Sequence, residues 1–251
     1  MTKLDDRADF MRNSKSQALK LGKDTKVFEQ AKETMLALNQ YDYPYLWNWL
    51  GMPIIQIPAD IIATQEAIWT TKPDVIIETG VARGGSVVFL ASILALLGGV
   101  GFVIGIDIDI RAHNRDAINS HSLSSRIKLV EGDSTAKGTI AEVSGMIPQN
   151  ARVMVILDSD HTRDHVLAEL RSYGQLVSKG CYMVVADTFA GFLSEDEAPR
   201  NRSKHIFRGN DPLSARDAFL AETDRFEIDE TINGKLVLSS SPGGYLMCIK
   251  Q

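Results

Sequence analysis

Acidic and imidazole side chains are concentrated in one short segment, Asp158-Ser-Asp160-His161-Thr-Arg-Asp164-His165. Removing the proton of a hydroxyl group while its oxygen attacks needs a base that titrates near neutral pH, which is the property of histidine. We therefore predict that His161 is the general base and that Asp158 acts beside it. Asp160 and His165 are predicted substrate contacts, although a position on the surface of a helix is an alternative for His165.

A second acid, Asp187, follows the next predicted strand after the one that ends at Asp158. Two carboxylates that meet at one edge of a sheet can hold Mg²⁺, which prefers oxygen ligands and keeps several waters. Such an ion would orient the acceptor and lower the pKa of the attacked hydroxyl group. The alternative is that both acids cap helices or accept hydrogen bonds from backbone N–H groups.

A glycine-rich turn, Glu78-Thr-Gly-Val-Ala-Arg-Gly-Gly-Ser86, follows a short apolar strand. Glycines allow a sharp turn and let a ligand approach the backbone closely, and Ser86 is predicted to cap the next helix, whose N–H groups favour a carboxylate. Turn formation alone is the alternative. The predicted cofactor contacts of this segment are Glu78, Gly80, Arg83, Gly84, Gly85 and Ser86.

Acids also end the next two predicted strands. Asp107 is placed to accept hydrogen bonds from ribose hydroxyl groups, with Asp109 close behind it, and Asp133 with Ser134 is placed to meet an adenine amino group. Asp158 completes the predicted cofactor contacts. A glycine turn followed by acids at consecutive strand ends predicts a nucleotide-type cofactor.

The spacing of the glycines separates two such cofactors. A dinucleotide fold uses closely spaced G-x-G-x-x-G to cradle a pyrophosphate, whereas here Gly80 is followed by Gly84 and Gly85. Glu78 would repel a pyrophosphate but suits the cationic end of S-adenosylmethionine. The sequence therefore favours S-adenosylmethionine, and an NAD(P)-dependent oxidoreductase is the second hypothesis.

Apolar runs and helical segments alternate along the chain and predict the elements that position these residues. The predicted strands cover 75–77, 101–106, 127–130, 153–157 and 182–185, separated by helices 86–97, 111–121, 135–146 and 162–178. Helix 213–222, strand 225–230, a turn at Asn233-Gly234 and strands 236–239 and 245–249 follow. We predict an α/β fold with a doubly wound, mostly parallel, seven-stranded sheet and a C-terminal antiparallel hairpin.

Residues 1–58 form a predicted helical and aromatic segment in front of a methyltransferase domain over 59–251. Tyr45 and Trp49 lie in its aromatic stretch and are predicted to contact the substrate, since flat rings stack on sugar faces. A hydrophobic clasp or an oligomer contact is the alternative. The polar insertion 188–212, with its basic cluster 200–205, is a predicted lid or a solvated loop.

The composition argues against several other classes. The chain has 251 residues, a net charge of −5 and 44% apolar residues, and a nucleic-acid-binding surface would need a basic stripe. Cys181 and Cys248 lie in apolar runs and are predicted to be buried thiols. The chain begins with a charged segment and has no apolar stretch that resembles a membrane span. We expect a cytoplasmic protein and a homo-oligomer that acts on a small molecule.

Four segments together resemble the cephalosporin hydroxylase/rhamnosyl O-methyltransferase family: 75–86, 105–109, 157–162 and 184–188. The resemblance implies a class I methyltransferase fold, Mg²⁺, and a histidine three residues after a metal-binding aspartate, which are His161 and Asp158 here. Ala186-Asp187 stands where members with a well-formed metal site have Glu-Asp, so one carboxylate is missing. The expected function is O-methylation of a sugar or glycosylated natural product, and a non-catalytic S-adenosylmethionine-binding protein is a further alternative.

Overall fold

A computed structural model describes residues 6–198 and 206–251 of the chain. The α-helices are α1 (Arg7–Leu21), α2 (Thr25–Asn39), α3 (Pro58–Thr71), α4 (Gly85–Leu97), α5 (Ala112–Ser120), α6 (Lys137–Met146), α7 (Arg163–Tyr173), α8 (Pro212–Glu222) and α9 (Glu230–Asn233). The strands are β1 (Trp47–Trp49), β2 (Met52–Ile54), β3 (Val75–Thr79), β4 (Phe102–Asp107), β5 (Ile127–Glu131), β6 (Val153–Leu157), β7 (Tyr182–Val185), β8 (Phe226–Ile228) and β9 (Tyr245–Cys248).

Seven strands form one sheet in the order β5-β4-β3-β6-β7-β9-β8. Strands β3 to β7 are parallel to one another, and β9 runs antiparallel between β7 and β8. All residues of β3, β6 and β7 are buried, as expected for strands that are covered by helices on both faces. The predicted fold is confirmed, and the strand order reverses between β3 and β6, where open α/β sheets bind ligands.

The C-terminal antiparallel pair differs in detail from the prediction. Residues 236–239 form no strand, although Leu236 is buried in the core, and the antiparallel partner of β9 is β8. Asn233 and Gly234 end α9 and do not form a hairpin turn, because Asp229 caps this short helix by accepting hydrogen bonds from the N–H groups of Thr231 and Ile232. The predicted strand at 236–239 and the predicted turn are therefore wrong.

The N-terminal segment packs against the rest of the fold at two places. The antiparallel β1–β2 hairpin lies on the start of α4, where a Cβ atom on Gly85 would come within 2.2 Å of the Pro53 carbonyl oxygen. Helix α2 contributes Met35 to a buried apolar cluster with Ile57, Phe189 and Leu193. The predicted domain division at residue 58 stays a prediction.

Three further sequence predictions concern membrane spans, the basic cluster and the cysteines. In the described part of the chain, none of the helices combines the length and the apolar character that a membrane crossing requires. The basic cluster predicted at Arg200, Arg202, Lys204 and His205 lies outside the described residues. Both cysteines are free and buried, as predicted.

Candidate active site

A cleft of about 480 Å³ opens at the carboxyl ends of the strands, a size typical of small-molecule sites. It brings together residues that are far apart in the sequence, from the turn after β3, the loop after β6, the end of β7 and the N-terminal segment. The predicted site residues that line it are Gly80, Arg83, Gly85, Ser86, Asp158, Asp160, His161, Asp187 and Tyr45.

Asp158, His161 and Asp187 form a close group on one wall of this cleft. His161 Nε2 lies 3.3 Å from Asp187 Oδ2 and 3.8 Å from Asp158 Oδ1. His161 and Asp187 have φ angles of 63° and 53°, in the left-handed region that few non-glycine residues adopt. Such backbone strain is concentrated at functional sites, where the surrounding structure holds it in place.

Burial and mutual repulsion shape the electrostatics of the two carboxylates. Burial, and next the charge of Asp187, raise the pKa of Asp158 to about 7, and His161 acts in the opposite direction. Gln56 Nε2 donates a hydrogen bond to Asp158 Oδ2 at 3.0 Å. Nearby, burial raises the pKa of Asp60 to about 6, although two serines donate hydrogen bonds to it.

The group has the donor set of a cation site. One oxygen of Asp158, one of Asp187 and a ring nitrogen of His161 lie within 4.8 Å of one another. A divalent cation would relieve the repulsion between the two carboxylates, and Mg²⁺ is often held in proteins by only two carboxylates together with waters. The two aspartates therefore fit Mg²⁺. Ala186 adds only a methyl group, which is buried.

Glu78 is the penultimate residue of β3, is buried, and does not itself line the cleft. It accepts a hydrogen bond from Ser86 Oγ at 2.8 Å. Burial, followed by the charge of Asp158, raises the pKa of Glu78 well above its usual value, and the bond from Ser86 acts against this. The predicted capping by Ser86 is wrong: Gly84 is the N-cap of α4, and the Ser86 hydroxyl group points to Glu78.

Gly80 lets the end of β3 pass directly over the end of β6. Its φ angle is +94°, and a Cβ atom built on it would lie 2.0 Å from the Asp158 carbonyl oxygen. No side chain fits this space, because the neighbouring atom is backbone. The glycine therefore sets the distance between the turn and the loop that carries Asp158.

Asp107 stabilises the glycine turn through hydrogen bonds. Its Oδ2 accepts hydrogen bonds from the N–H groups of Val81 and Ala82, each at 2.9 Å, and its Oδ1 accepts one from the Asp109 N–H at 3.2 Å. Asp107, Asp109 and Gly84 do not line the cleft. The structure thus gives Asp107 a role in shaping the turn that the sequence did not predict.

The end of β5 lies at the same sheet edge but outside the cleft lining. Asp133 Oδ1 accepts hydrogen bonds from the Thr135 hydroxyl group and N–H, and these bonds lower the pKa of Asp133. Ser134 is buried and bonds to side chains of α7.

Two predicted substrate contacts have other partners. Trp49 donates a hydrogen bond from Nε1 to Ser92 Oγ and packs edge-on against Phe89, both on α4. It therefore holds the β1–β2 hairpin against α4. His165 Nε2 lies 3.3 Å from Glu169 Oε1. Neither lines the cleft, which departs from the prediction for both.

Several cleft residues were not predicted from the sequence. Gln56 lies in the loop after β2, and the apolar wall includes Met35, Phe189 and Leu193. The sequence gives no local signal for them, because they reach the cleft through packing between the N-terminal segment and the turn after β7. For Phe189 and Leu193, their apolar character within an otherwise polar insertion was the one clue in the sequence.

The comparisons with known proteins agree on one family. A family model described as rhamnosyl O-methyltransferase/CmcI matches residues 41–249. A rhamnosyl O-methyltransferase of Mycobacterium leprae is 28% identical over 148 residues, which cover 57% of this chain and 62% of that protein, less than two thirds of its length. One from Mycobacterium tuberculosis is 26% identical over 205 residues, covering 80% of this chain and 77% of that protein.

Solved structures share the fold. A CmcI structure described as a complex with Mg and SAM has a TM-score of 0.57 at 18% identity, covering 82% of this chain and 78% of that chain. An O-methyltransferase from Bacillus cereus in complex with SAH has a TM-score of 0.52 at 14% identity, covering 80% of this chain and 81% of that chain.

The sheet order, the glycine turn and the acids at the strand ends are those of the class I methyltransferase fold. The chain belongs to the rhamnosyl O-methyltransferase/CmcI family. The predicted family and the predicted enzyme class, an S-adenosylmethionine-dependent O-methyltransferase, are thereby confirmed.

Proposed function

We propose that this protein transfers the methyl group of S-adenosylmethionine to a hydroxyl group of a sugar or a glycosylated natural product. The observation that carries the proposal is the meeting of His161, Asp158 and Asp187 in a cleft whose floor is the glycine turn. The sugar as acceptor is supported by the names of the mycobacterial relatives, which are rhamnosyl O-methyltransferases.

In the proposed reaction the acceptor oxygen attacks the methyl carbon while the bond from that carbon to sulfur breaks, which leaves S-adenosylhomocysteine. His161 Nε2 takes the proton of the hydroxyl group. The imidazolium that forms lies 3.3 Å from Asp187 Oδ2 and 3.8 Å from Asp158 Oδ1.

The cofactor is proposed to lie across the glycine turn. We propose that Glu78, which lies behind the cleft lining and accepts a hydrogen bond from Ser86, attracts the cationic end of the cofactor. The wide turn from Gly80 to Gly85 lets the cofactor approach the backbone, and Arg83 and Ser86 line the cleft beside it. Asp107, Asp109, Asp133 and Ser134 mark the adenosine end. Tyr45 and Asp160 are proposed contacts of the acceptor.

Asp158 and Asp187 are proposed to hold Mg²⁺ through one oxygen each. The ion, when bound, would lower the pKa of an acceptor hydroxyl group that it coordinates. His161 offers nitrogen, which Mg²⁺ binds less readily than oxygen, and this supports its assignment as the base. Gln56 keeps Asp158 oriented through the hydrogen bond to Oδ2.

Methyl transfer to a panel of sugars and glycosides tests the proposal, with His161→Gln as the main variant. General-base catalysis contributes roughly 100- to 10,000-fold, and the variant is expected to lose kcat by that factor while its affinity for S-adenosylhomocysteine is unchanged. His113→Gln, on the exposed face of α5, is the matched control. Full turnover by His161→Gln would contradict the base assignment, and cofactor binding without transfer by the wild type would favour the non-catalytic alternative.

A further inference from the structure

Three side chains on one stripe of α7 contact the same residue at the end of β5. His165 Nε2 lies 3.1 Å from Ser134 Oγ, and Glu169 Oε1 accepts a hydrogen bond from that hydroxyl group at 2.5 Å. Tyr173 donates a hydrogen bond to the Ser134 carbonyl oxygen at 2.8 Å. Residues four apart share one face of a helix, so α7 holds Ser134 by both its side chain and its backbone.

The same oxygen of Glu169 also reaches the loop after β6. Ser159 Oγ donates a hydrogen bond to Glu169 Oε1 at 2.8 Å. Ser159 stands directly after Asp158 and two residues before His161 in the loop that forms one wall of the cleft. One carboxylate oxygen therefore joins the end of β5 to the loop that carries the base.

Packing alone does not explain a carboxylate at this position. Glu169 is fully buried, and among the described residues its second oxygen has no hydrogen-bond partner. Its closest cationic partner is His165, at 3.3 Å from Oε1. Burying a carboxylate is costly, and an apolar side chain of similar volume would often make the protein more stable. The cost is consistent with a role in holding hydrogen-bond donors in fixed positions.

We propose that Glu169 is a positioning residue for methyl transfer, which fixes the loop of Asp158 and His161 relative to Ser134 at the adenosine end of the site. The inference rests on the proposed function for the roles of these ends. The two hydrogen bonds that Glu169 Oε1 accepts then have separate effects. The bond from Ser134, called the Ser134 arm, acts on cofactor affinity, and the bond from Ser159, called the Ser159 arm, acts on turnover.

The proposal is tested by removing each hydrogen bond separately in the 251-residue chain. Ser134→Ala is expected to raise the Kd for S-adenosylhomocysteine, measured by calorimetry, and Ser159→Ala to lower kcat, each by roughly tenfold or more, as for hydrogen bonds to charged groups. Glu169→Leu should show both effects, and Glu169→Gln should recover part of each, because it keeps an acceptor oxygen. Ser172→Ala is the matched control, since its hydroxyl group on the same helix donates a hydrogen bond to the Ala168 carbonyl oxygen and, within the described residues, to no other group.

Coupling between the variants distinguishes positioning from general stability. If Glu169 carries the effect of Ser159, then adding Ser159→Ala to Glu169→Leu should cause no further loss of kcat, since interacting residues are not additive. Additive losses, or a Ser159→Ala enzyme with wild-type kcat and a Ser134→Ala enzyme with wild-type Kd, would overturn the inference. If Glu169→Leu fails to fold, the same comparison in Glu169→Gln decides.

The two proposals fail in different ways. If the wild type methylates no acceptor, the proposed function fails. The effect of the Ser134 arm can then still be measured as the Kd for S-adenosylhomocysteine. The effect of the Ser159 arm can be measured from the NMR resonances of the His161 ring, whose chemical shifts should change in Ser159→Ala and remain unchanged in Ser172→Ala. Unchanged Kd and unchanged resonances would overturn the positioning role.

Discussion

Glu78 is a buried acid at the end of the strand that leads into the glycine turn. Without a cation nearby its pKa is well above the usual value, chiefly because of burial and then because of Asp158. The cationic end of S-adenosylmethionine would favour the ionised form and gain a charge-assisted hydrogen bond. We therefore expect Glu78 to favour this cofactor over the pyrophosphate of a dinucleotide by charge.

We predict that Glu78→Gln weakens cofactor binding by roughly 10- to 100-fold, the value of a hydrogen bond to a charged group. The glutamine keeps the size of the side chain and its contact with Ser86, so the melting temperature should change little. Calorimetric titration with S-adenosylhomocysteine, which shares the amino-acid end, measures the loss. Glu66→Gln, an exposed position on α3 that pairs with Lys235, is the control, and equal affinities of the two variants would refute the assignment.

His165 gives a prediction about pH. The hydrogen bond to Glu169, followed by its charge, raises the pKa of His165, burial acts against this, and Asp160 and Asp133 add to the rise. The protonated ring thus stabilises the folded state fully below the pKa of the unfolded chain. This stabilisation is lost as the pH rises through the higher pKa of the folded protein.

We expect the free energy of unfolding of the wild type to exceed that of His165→Gln most at about pH 5.5 and least at about pH 8.5, on the two sides of the ordinary imidazole pKa. Urea denaturation at both pH values measures the difference. His113→Gln serves as the exposed control. A gap between wild type and His165→Gln that does not change with pH would contradict the ion pair with Glu169.

At the scale of elements, the approach of β3 to β6 depends on the glycine at the start of the turn. Gly80 and Gly51 have similar φ angles, +94° and +88°, but only Gly80 has backbone in the space of a side chain. We predict that Gly51→Ala costs about 1 kcal/mol from backbone strain alone, whereas Gly80→Ala costs about 3 kcal/mol or more. Chemical denaturation measures both, and equal losses would show that the close contact with Asp158 is relieved without cost.

The sequence predicted the parallel strands well because the pattern is local. A strand buried on both faces is apolar at most of its positions, so the first three residues of β3 and all of β6 and β7 stand out as short apolar runs. The error at 236–239 arose because this apolar run is a connection that forms no strand, although Leu236 and Ser239 in it are buried. Gly234 resembles a turn residue, but a Cβ atom there would lie 2.3 Å from the Ala18 carbonyl oxygen of α1. That constraint comes from tertiary packing.

The site was predictable only where it is built from strand ends. Parallel strands end at one edge of a sheet, so acids such as Asp158 and Asp187 could be placed together from their position in the βα units. Gln56 reaches Asp158 from a loop about a hundred residues earlier in the chain, and only the folded structure shows that contact. The hydrogen bonds that Asp107 accepts from the turn could not be predicted from the sequence for the same reason.

At the scale of the whole molecule, the cleft lies between the sheet edge and a wall formed by the N-terminal segment. Met35 of α2 and Phe189 after β7 belong to one apolar cluster. Phe28 contacts Phe192 edge-on, at 4.7 Å between ring centroids, and Lys32 lies 3.1 Å from Glu197. The group of His161, Asp158 and Asp187 therefore shares its cleft with an apolar wall, an arrangement that would exclude water from one side of a bound acceptor and strengthen charge interactions within the site.

Binding of Mg²⁺ to the two aspartates at the sheet edge should stabilise the whole fold. A ligand that binds only the folded protein stabilises it by about 2.7 kcal/mol at 100 times its Kd. For a chain of this size that corresponds to a rise of roughly 5 to 10 °C in melting temperature. We expect Mg²⁺ to raise the melting temperature of the wild type, and a chelator to reverse the rise.

Asp187→Asn removes one of the two carboxylates while keeping the size of the side chain, so it should melt at nearly the same temperature with and without Mg²⁺. Asp116→Asn, on the exposed face of α5, should respond as the wild type does. A rise in Asp187→Asn equal to that of the wild type would mean that the ion binds elsewhere. No rise in the wild type would mean that the alanine at position 186 has left too few oxygens to hold it, and that methyl transfer depends on His161 and the two aspartates alone.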